Sequence, residues 1–366
     1  MKIFIVNRHK DDILGGSEIQ CDIIARNLTK MGVEVIYVAM QSNHPFDLLY
    51  KVVPVQTYTP NGFDTLIKEY KPDVVYWRYN KINLKSAVRV SHVNDVKFIF
   101  SLSHVNDVSK WRWHWEPTIK KPIYSLKQLV ASIKNSIRSS WNHTAYKEID
   151  GVVSLQGIFI PMLPPRFNET NAICIHNSME FIPSCEFKWP KPYVVWVANL
   201  KAPKRPEVYI RLAKELEKEG VDFLMIGKIQ EPAYNYVNDA SQLPSNLHYL
   251  GMKPVHDVDA ILLNSLFMVH TCIPEGFGNN FIQAWIAGKP TISLSFDPDG
   301  LIEEYQLGYI SHSFDRLVVN TQQLIMDEET REKMGKRAHQ IAQEMFSPER
   351  NTQRLFDFVQ KKIGNE

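Results

Sequence analysis

The chain has 366 residues, 44% hydrophobic and 22% charged, which favours two domains over one and an ordinary globular protein over a disordered or fibrous one. Net charge is +2, but residues 1–182 hold 22 Lys/Arg against 16 Asp/Glu, net +6, leaving −4 in the remainder. So small a total, with no recognised motif, excludes nucleic acid as a partner.

The chain opens with the strand KIFIV, a polar loop ending in Gly15-Gly16-Ser17, and a helix that places Ile19, Ile23, Ile24 and Leu28 on one face. Gly32 ends that helix; VEVIYVA, PDVVYW, KFIFSLS, DGVVSLQ and AICIHNS follow as strands. The Pro-rich stretch FIPSCEFKWPKP breaks the period. The pattern restarts with YVVWVANL, a helix through Ile210 to Glu219, and the strands DFLMIG, LHYLG, LFMVH and PTISLS. From Ser347-Pro348 onward a helix carries Leu355, Phe356, Phe358 and Val359. Alternation of buried-type strands with amphipathic helices predicts an α/β fold with parallel sheets, in domains 1–182 and 183–346 with a closing helix 347–366.

Cys21, Cys174, Cys185 and Cys272 include no short-spaced pair, which argues against a zinc site or a disulfide framework. No apolar run approaches membrane-spanning length and the amino terminus reads as a strand, so a cytoplasmic protein is expected. The hexamer SHVNDV occurs at 91–96 and 103–108. The strand between them sets the two copies about 17 Å apart or more, so they cannot line one small pocket. Only the second lies where open α/β sheets bind ligands; His104 is therefore the functional candidate, and His92 is expected at the surface.

Two stretches carry phosphate chemistry. In PEGFGNNFIQAWIAGKP, residues 274–290, Glu275 precedes a Gly-Phe-Gly turn and a helix starting near Asn279. A helix start presents unpaired N–H groups and partial positive charge, and Gly276 and Gly278 permit close approach of a phosphate. Glu275 should instead face hydroxyls, and Gln283, one turn in, another hydroxylated moiety. Phosphates flanked by hydroxyls describe a nucleotide-sugar; a capped helix beside a solvated Glu is the plainer alternative. In ANLKAPKRPEVYI, residues 198–210, Lys201, Lys204 and Arg205 cluster before a helix. In a doubly wound sheet they would face the same crevice.

In this order, these pieces resemble the retaining GT-B glycosyltransferases of family 4. Gly15-Gly16-Ser17-Glu18 matches the family's GGxE turn, Lys204-Arg205-Pro206-Glu207 its basic diphosphate loop, and Glu275 to Gln283 its E-x7-E motif. The resemblance implies two Rossmann-like domains facing across a cleft, a final helix crossing back to the first, and a donor held mainly by the second. It implies catalytic roles for Lys204, Glu275 and His104. Donor binding would involve Gly16, Asn199, Lys201 and Arg205, backbone at Gly227 and Gly251, the backbone of Gly278, Asn279 and Asn280 at the distal phosphate, and Gln283. The reaction implied is transfer with retention from a nucleotide-diphosphate sugar to a glycan or lipid-linked acceptor, with neither metal nor cofactor. Gln283 stands where the family has its second Glu, and Asn199 where it often has Arg. These departures keep open a non-catalytic paralogue that partners an active enzyme. An epimerase on the same fold would need carboxylates that the sequence does not show.

On the acceptor side stand Asp107, Trp111 and Trp113. Residues 110–148 contain eight Lys/Arg and two Glu; the segment IYSLKQLVASIKNSI is expected to contact an anionic membrane face from the cytoplasmic side.

Overall fold

Short runs rich in Val and Ile, each followed by a helix with one apolar face, form two parallel sheets in the computed structural model, which describes residues 1–13, 15–43, 48–111, 126–181, 187–272 and 277–364. The chain divides into Met1–Asn177 with Pro348–Glu366, and Ser178–Ser347. The first unit runs β1 (Lys2–Asn7), α1 (Gly16–Lys30), β2 (Glu34–Met40), β3 (Lys51–Val55), α2 (Pro60–Tyr70), β4 (Val74–Trp77), α3 (Leu84–Val93), β5 (Lys97–Leu102), α4 (Val105–Val108), α5 (Leu126–His143), β6 (Gly151–Ser154) and β7 (Ala172–Cys174). Its strands pair in the order β3-β2-β1-β4-β5-β6-β7. The direction of winding reverses between β1 and β4, which opens a crevice at the carboxyl ends of those two strands.

Side chains alternate across the sheet, so each strand feeds two cores. Phe4 and Val6 pack with Trp77, Phe98 and Phe100 on one face. Ile3 and Ile5 pack with Cys21, Ala25 and Leu28 of α1 on the other.

The second unit runs β8 (Tyr193–Val197), α6 (Pro206–Glu215), β9 (Asp222–Ile226), β10 (Leu247–Tyr249), α7 (Val255–Asn264), β11 (Met268–His270), α8 (Asn279–Ile286), β12 (Thr291–Ser293), α9 (Leu301–Tyr305), β13 (Gly308–Ile310), α10 (Phe314–Met326) and α11 (Glu328–Met345). Its order is β10-β9-β8-β11-β12-β13, reversing between β8 and β11. Trp196, Tyr209, Phe223 and Phe267 fill its core. The last helix, α12 (Pro348–Ile363), belongs to the first unit. Leu355, Phe358 and Val359 join the α1 face, and Arg354 donates to the Cys174 carbonyl at 2.8 Å. Gly151 gives Phe358 its room, since a Cβ there would lie 2.9 Å from the ring.

The two copies of SHVNDV flank β5, as their spacing requires, but His92 is not a plain surface residue. Half-buried, it lies 2.9 Å from Asp150 Oδ2, which also accepts from the Phe98 amide at 2.8 Å. The hydrogen bond to Asp150 raises the His92 pKa above 6.5 against the opposing effect of burial. For Asp150, burial pushes upward, but the bonds from His92 and Phe98 prevail and lower it. A histidine with a raised folded pKa stabilises fully below its unfolded value and loses that contribution as pH rises through the folded one. His92→Gln should therefore cost up to about 1 kcal/mol at pH 5.5, after solvent screening, and almost nothing at pH 9. Thermal melts at the two pH values test this.

Candidate active site

The loops after β8 and β11 leave the sheet side by side, because those strands pair, Met268 lying opposite Val195. One threonine joins them. Thr271, fully buried just past β11, accepts from the Trp196 indole at 2.9 Å. Its hydroxyl donates to the carbonyls of Lys204 at 2.7 Å and Arg205 at 3.2 Å. The basic turn is thus fixed at its backbone to the end of the neighbouring strand. Within it, Ala202–Lys204 form a 3₁₀ turn starting after Lys201. Arg205 takes a left-handed conformation, φ 50° and ψ 52°, immediately before Pro206 opens α6. A non-glycine residue there is strained, and such strain collects at functional turns.

Asn199 is braced within the second unit, its Oδ1 accepting from the Lys228 amide at 3.2 Å. Gly227 donates its amide to the Gly251 carbonyl at 3.0 Å and accepts from the Tyr249 hydroxyl at 2.7 Å. A Cβ on Gly227 would sit 1.8 Å from the Ala198 carbonyl oxygen, so packing alone demands glycine there. Gly251 holds φ +72° with open space around it, a left-handed turn that favours glycine.

Gly278, φ 83° and ψ 90°, precedes α8 with no side-chain cap on the helix. Gly278, Asn279 and Asn280 are half-buried, while Phe277 beneath them packs on Phe346 with ring centroids 5.6 Å apart. Asn280 spends its side chain inside the protein: Nδ2 donates to the Val197 carbonyl at 2.9 Å and Oδ1 accepts from the Phe281 amide at 3.1 Å. Helix α8 is thereby tied to the end of β8, and only the backbone of Asn280 is left for a phosphate. Gln283 is 8% exposed and donates Nε2 to Asp259 Oδ1 at 2.8 Å, the aspartate lying on α7 at 1% exposure. Carboxylates only accept, so the Gln283 amide has one orientation, with Oε1 turned away from Asp259. Glu275 and Gly276 lie outside the described residues, as does Trp113.

In the first unit, Glu18 is buried and reaches the Arg8 guanidinium at 2.7 Å. A Cβ on Gly15 would lie 2.4 Å from Glu18 Oε2. A side chain at position 15 would thus displace the Glu18 carboxylate, and Gly16 is exposed as the first residue of α1. His104 is exposed just past β5, its Nδ1 accepting from the Asn106 amide at 3.1 Å. A neutral His104 therefore carries its proton on Nε2 and presents a donor outward. Asp107, expected on the acceptor side, also serves as a cap: Oδ2 accepts from the amides of Ser103 at 2.9 Å and His104 at 3.0 Å. Burial raises its pKa, those two bonds partly opposing. Trp111 is 52% exposed beside Lys110.

Comparison with the curated proteins gave no match. Residues 180–341 match the family model described as glycosyl transferases group 1, a match confined to the second unit. Among solved structures, the chain is similar to sucrose-phosphate synthase from Thermosynechococcus elongatus, at 13% identity and TM-score 0.75 over 100% of both chains. It is also similar to a glycosyltransferase from Rickettsia africae, at 14% identity and TM-score 0.73 over 100% of this chain and 99% of that one. HepE from Anabaena in complex with UDP-glucose gives 14% identity and TM-score 0.68 over 98% of this chain and 99% of that one. The chain has the GT-B fold.

Several residues that organise this GT-B chain carry no sequence signal. Thr271 and Trp196 stand 75 positions apart, Asp259 and Gln283 24, and only the packed sheet and helices join them. Thr271→Val keeps the shape of the side chain but leaves the Trp196 N–H unpaired in the core. A loss of about 1–3 kcal/mol is expected, read from chemical denaturation.

Proposed function

We propose that the protein is a retaining glycosyltransferase that moves a sugar from a nucleotide-diphosphate donor to a glycan or lipid-linked acceptor without a metal. The observation that carries this reading is the Thr271 junction, which fixes the Lys204-Arg205 turn to the end of β11, the strand whose following loop leads to the start of α8. The group 1 match over residues 180–341 supports it, and so does the UDP-glucose bound by HepE.

As the glycosidic bond breaks, negative charge collects on the departing diphosphate. Lys204, with Arg205 or Lys201, would neutralise that charge together with the N–H groups at Asn279, the service a divalent cation would otherwise render. Glu275 would hold hydroxyls of the donor sugar. The Gln283 carbonyl would accept from the ribose. His104 would donate Nε2–H to the sugar or acceptor. With retention, the acceptor oxygen attacks from the face the diphosphate leaves, and a phosphate oxygen takes its proton.

Contact with an anionic membrane face belongs to the same reading. Val130, Ile133, Ile137 and Trp141 are exposed along α5, whose sequence also carries Lys134 and Arg138. None of the described helices is long and apolar enough to cross a membrane. A cytoplasmic enzyme that reaches a lipid-linked acceptor through this helix is the location the reading implies.

The experiment is a panel of UDP-, GDP-, ADP- and CMP-sugars followed by thermal shift and product release. A donor at about 100 times its dissociation constant should stabilise by about 2.7 kcal/mol. Silence from the whole panel would overturn the proposal, and binding without turnover on any acceptor would favour the non-catalytic partner.

A further inference from the structure

Arg78 follows β4 at the switch point of the first unit and is only 9% exposed. Its amide continues the ladder to the Val6 carbonyl at 3.0 Å, so its side chain shares the α1 face with Tyr76. One NH₂ group donates to Asn177 Oδ1 at 2.9 Å. Among the described residues the buried Nε has no hydrogen-bond partner, the guanidinium also bonds the Tyr76 hydroxyl, and no carboxylate pairs with it. Glu18, the buried acid at the start of α1, is held by Arg8.

On the same face, Asn7 donates to Ser17 at 2.9 Å and to Cys21 at 3.4 Å, and Tyr76 donates to Ser101 at 3.0 Å; the buried Glu18 acts on Cys21 as well but is paired with Arg8. The Arg78 charge acts on both the Tyr76 hydroxyl and the Cys21 thiol. A buried cation with no carboxylate in contact is costly and persists where something else supplies the anion. A guanidinium fork suits a carboxylate or a phosphate in two-point contact.

We infer that Arg78 is the anion-binding residue of the first unit and that the acceptor is an anionic sugar, bearing a carboxylate or phosphate that Arg78 holds at the β1–β4 switch point. This rests on the reading that the first unit receives the acceptor. Isothermal titration of the full chain with glucose 6-phosphate, glucuronate and glucose tests it, with UDP, GDP and ADP reporting on the second unit. One of the two anionic sugars should bind at least tenfold more tightly than glucose, and which one does so tells phosphate from carboxylate. Arg78→Gln, which can still donate to Asn177, should weaken that binding at least tenfold and leave nucleotide binding unchanged. Its ligand-free melting temperature should equal or exceed that of the wild type, because an uncompensated charge has gone. Arg78→Lys keeps the charge without the fork and should bind at an intermediate level. The inference is overturned if neither anionic sugar outbinds glucose, if Arg78→Gln binds as well, or if that variant melts lower or fails to fold, as a structural arginine requires. Nucleotide binding without an Arg78-dependent sugar sinks this inference alone; no nucleotide binding sinks the proposed function.

Discussion

Lys204→Ala is expected to lower kcat by about 10²–10³-fold, or about 2.7–4 kcal/mol of transition-state stabilisation, the size seen when one preorganised charge-stabilising donor is removed. The reason lies in when the charge appears. The donor diphosphate is already anionic in the ground state, so part of the lysine's attraction is felt on binding. The increment that accelerates transfer is the extra charge released as the sugar departs. The loss should therefore fall on kcat, with KM changing by a smaller factor. Fixing the turn matters too: Thr271 holds the Lys204 and Arg205 carbonyls, so in the proposed reaction the backbone that carries the ammonium is already in place. Initial rates across donor concentrations decide the matter. A variant with unchanged kcat and a raised KM would show that Lys204 binds ground and transition states alike, and the leaving-group role would have to move to Arg205 or Lys201.

The architecture was legible in the sequence because strand runs and helix faces are local patterns. KIFIV, VEVIYVA and YVVWVANL read as buried parallel strands. The strands at Lys51–Val55 and Gly308–Ile310 are too short and weakly patterned to stand out, and the reversal of winding is seen only in the sheet order. The basic turn and the glycines before α8 were legible for a similar reason: phosphate chemistry at a helix start needs few residues, closely spaced. What the sequence withheld is tertiary. Nothing in VNDV says that Asp107 caps its own helix, since cap and acid look alike until the backbone is placed. Asn280 reads as offering its backbone to a phosphate, and nothing in the sequence says that its side chain is a strut to Val197. Arg78 reads as one basic residue among 42 Lys/Arg until its burial, with no carboxylate of the described residues in contact, marks it out.

Gln283 shows why a departure from a motif has to be read in three dimensions. On sequence alone it is a lost carboxylate; in the fold it answers Asp259, buried at 1% exposure and 2.8 Å away. A glutamate at that position would set two carboxyl groups against each other in the core, and one of them could ionise only at raised pH. Gln283→Glu should thus be close to wild type at pH 5, where one shared proton remakes the hydrogen bond, and less stable as pH rises. The sign follows from linkage: a pair whose folded pKa exceeds its unfolded value is stabilised below the unfolded value and destabilised as pH climbs through the folded one. A rise of about two units costs about 2.7 kcal/mol by pH 8. Adding Asp259→Asn should restore stability and flatten the pH dependence, because donor and acceptor have merely changed places. That double variant also presents a charged acceptor at position 283, so nucleotide affinity should rise by up to about tenfold, the usual gap between charged and neutral hydrogen bonds. Thermal melts from pH 5 to 8 and nucleotide titration of the three proteins give the answer. A single variant as stable as wild type at pH 8 would mean that Asp259 is not the reason for the glutamine. Restored stability with unchanged affinity would remove Gln283 from the donor site while leaving its place in the core intact.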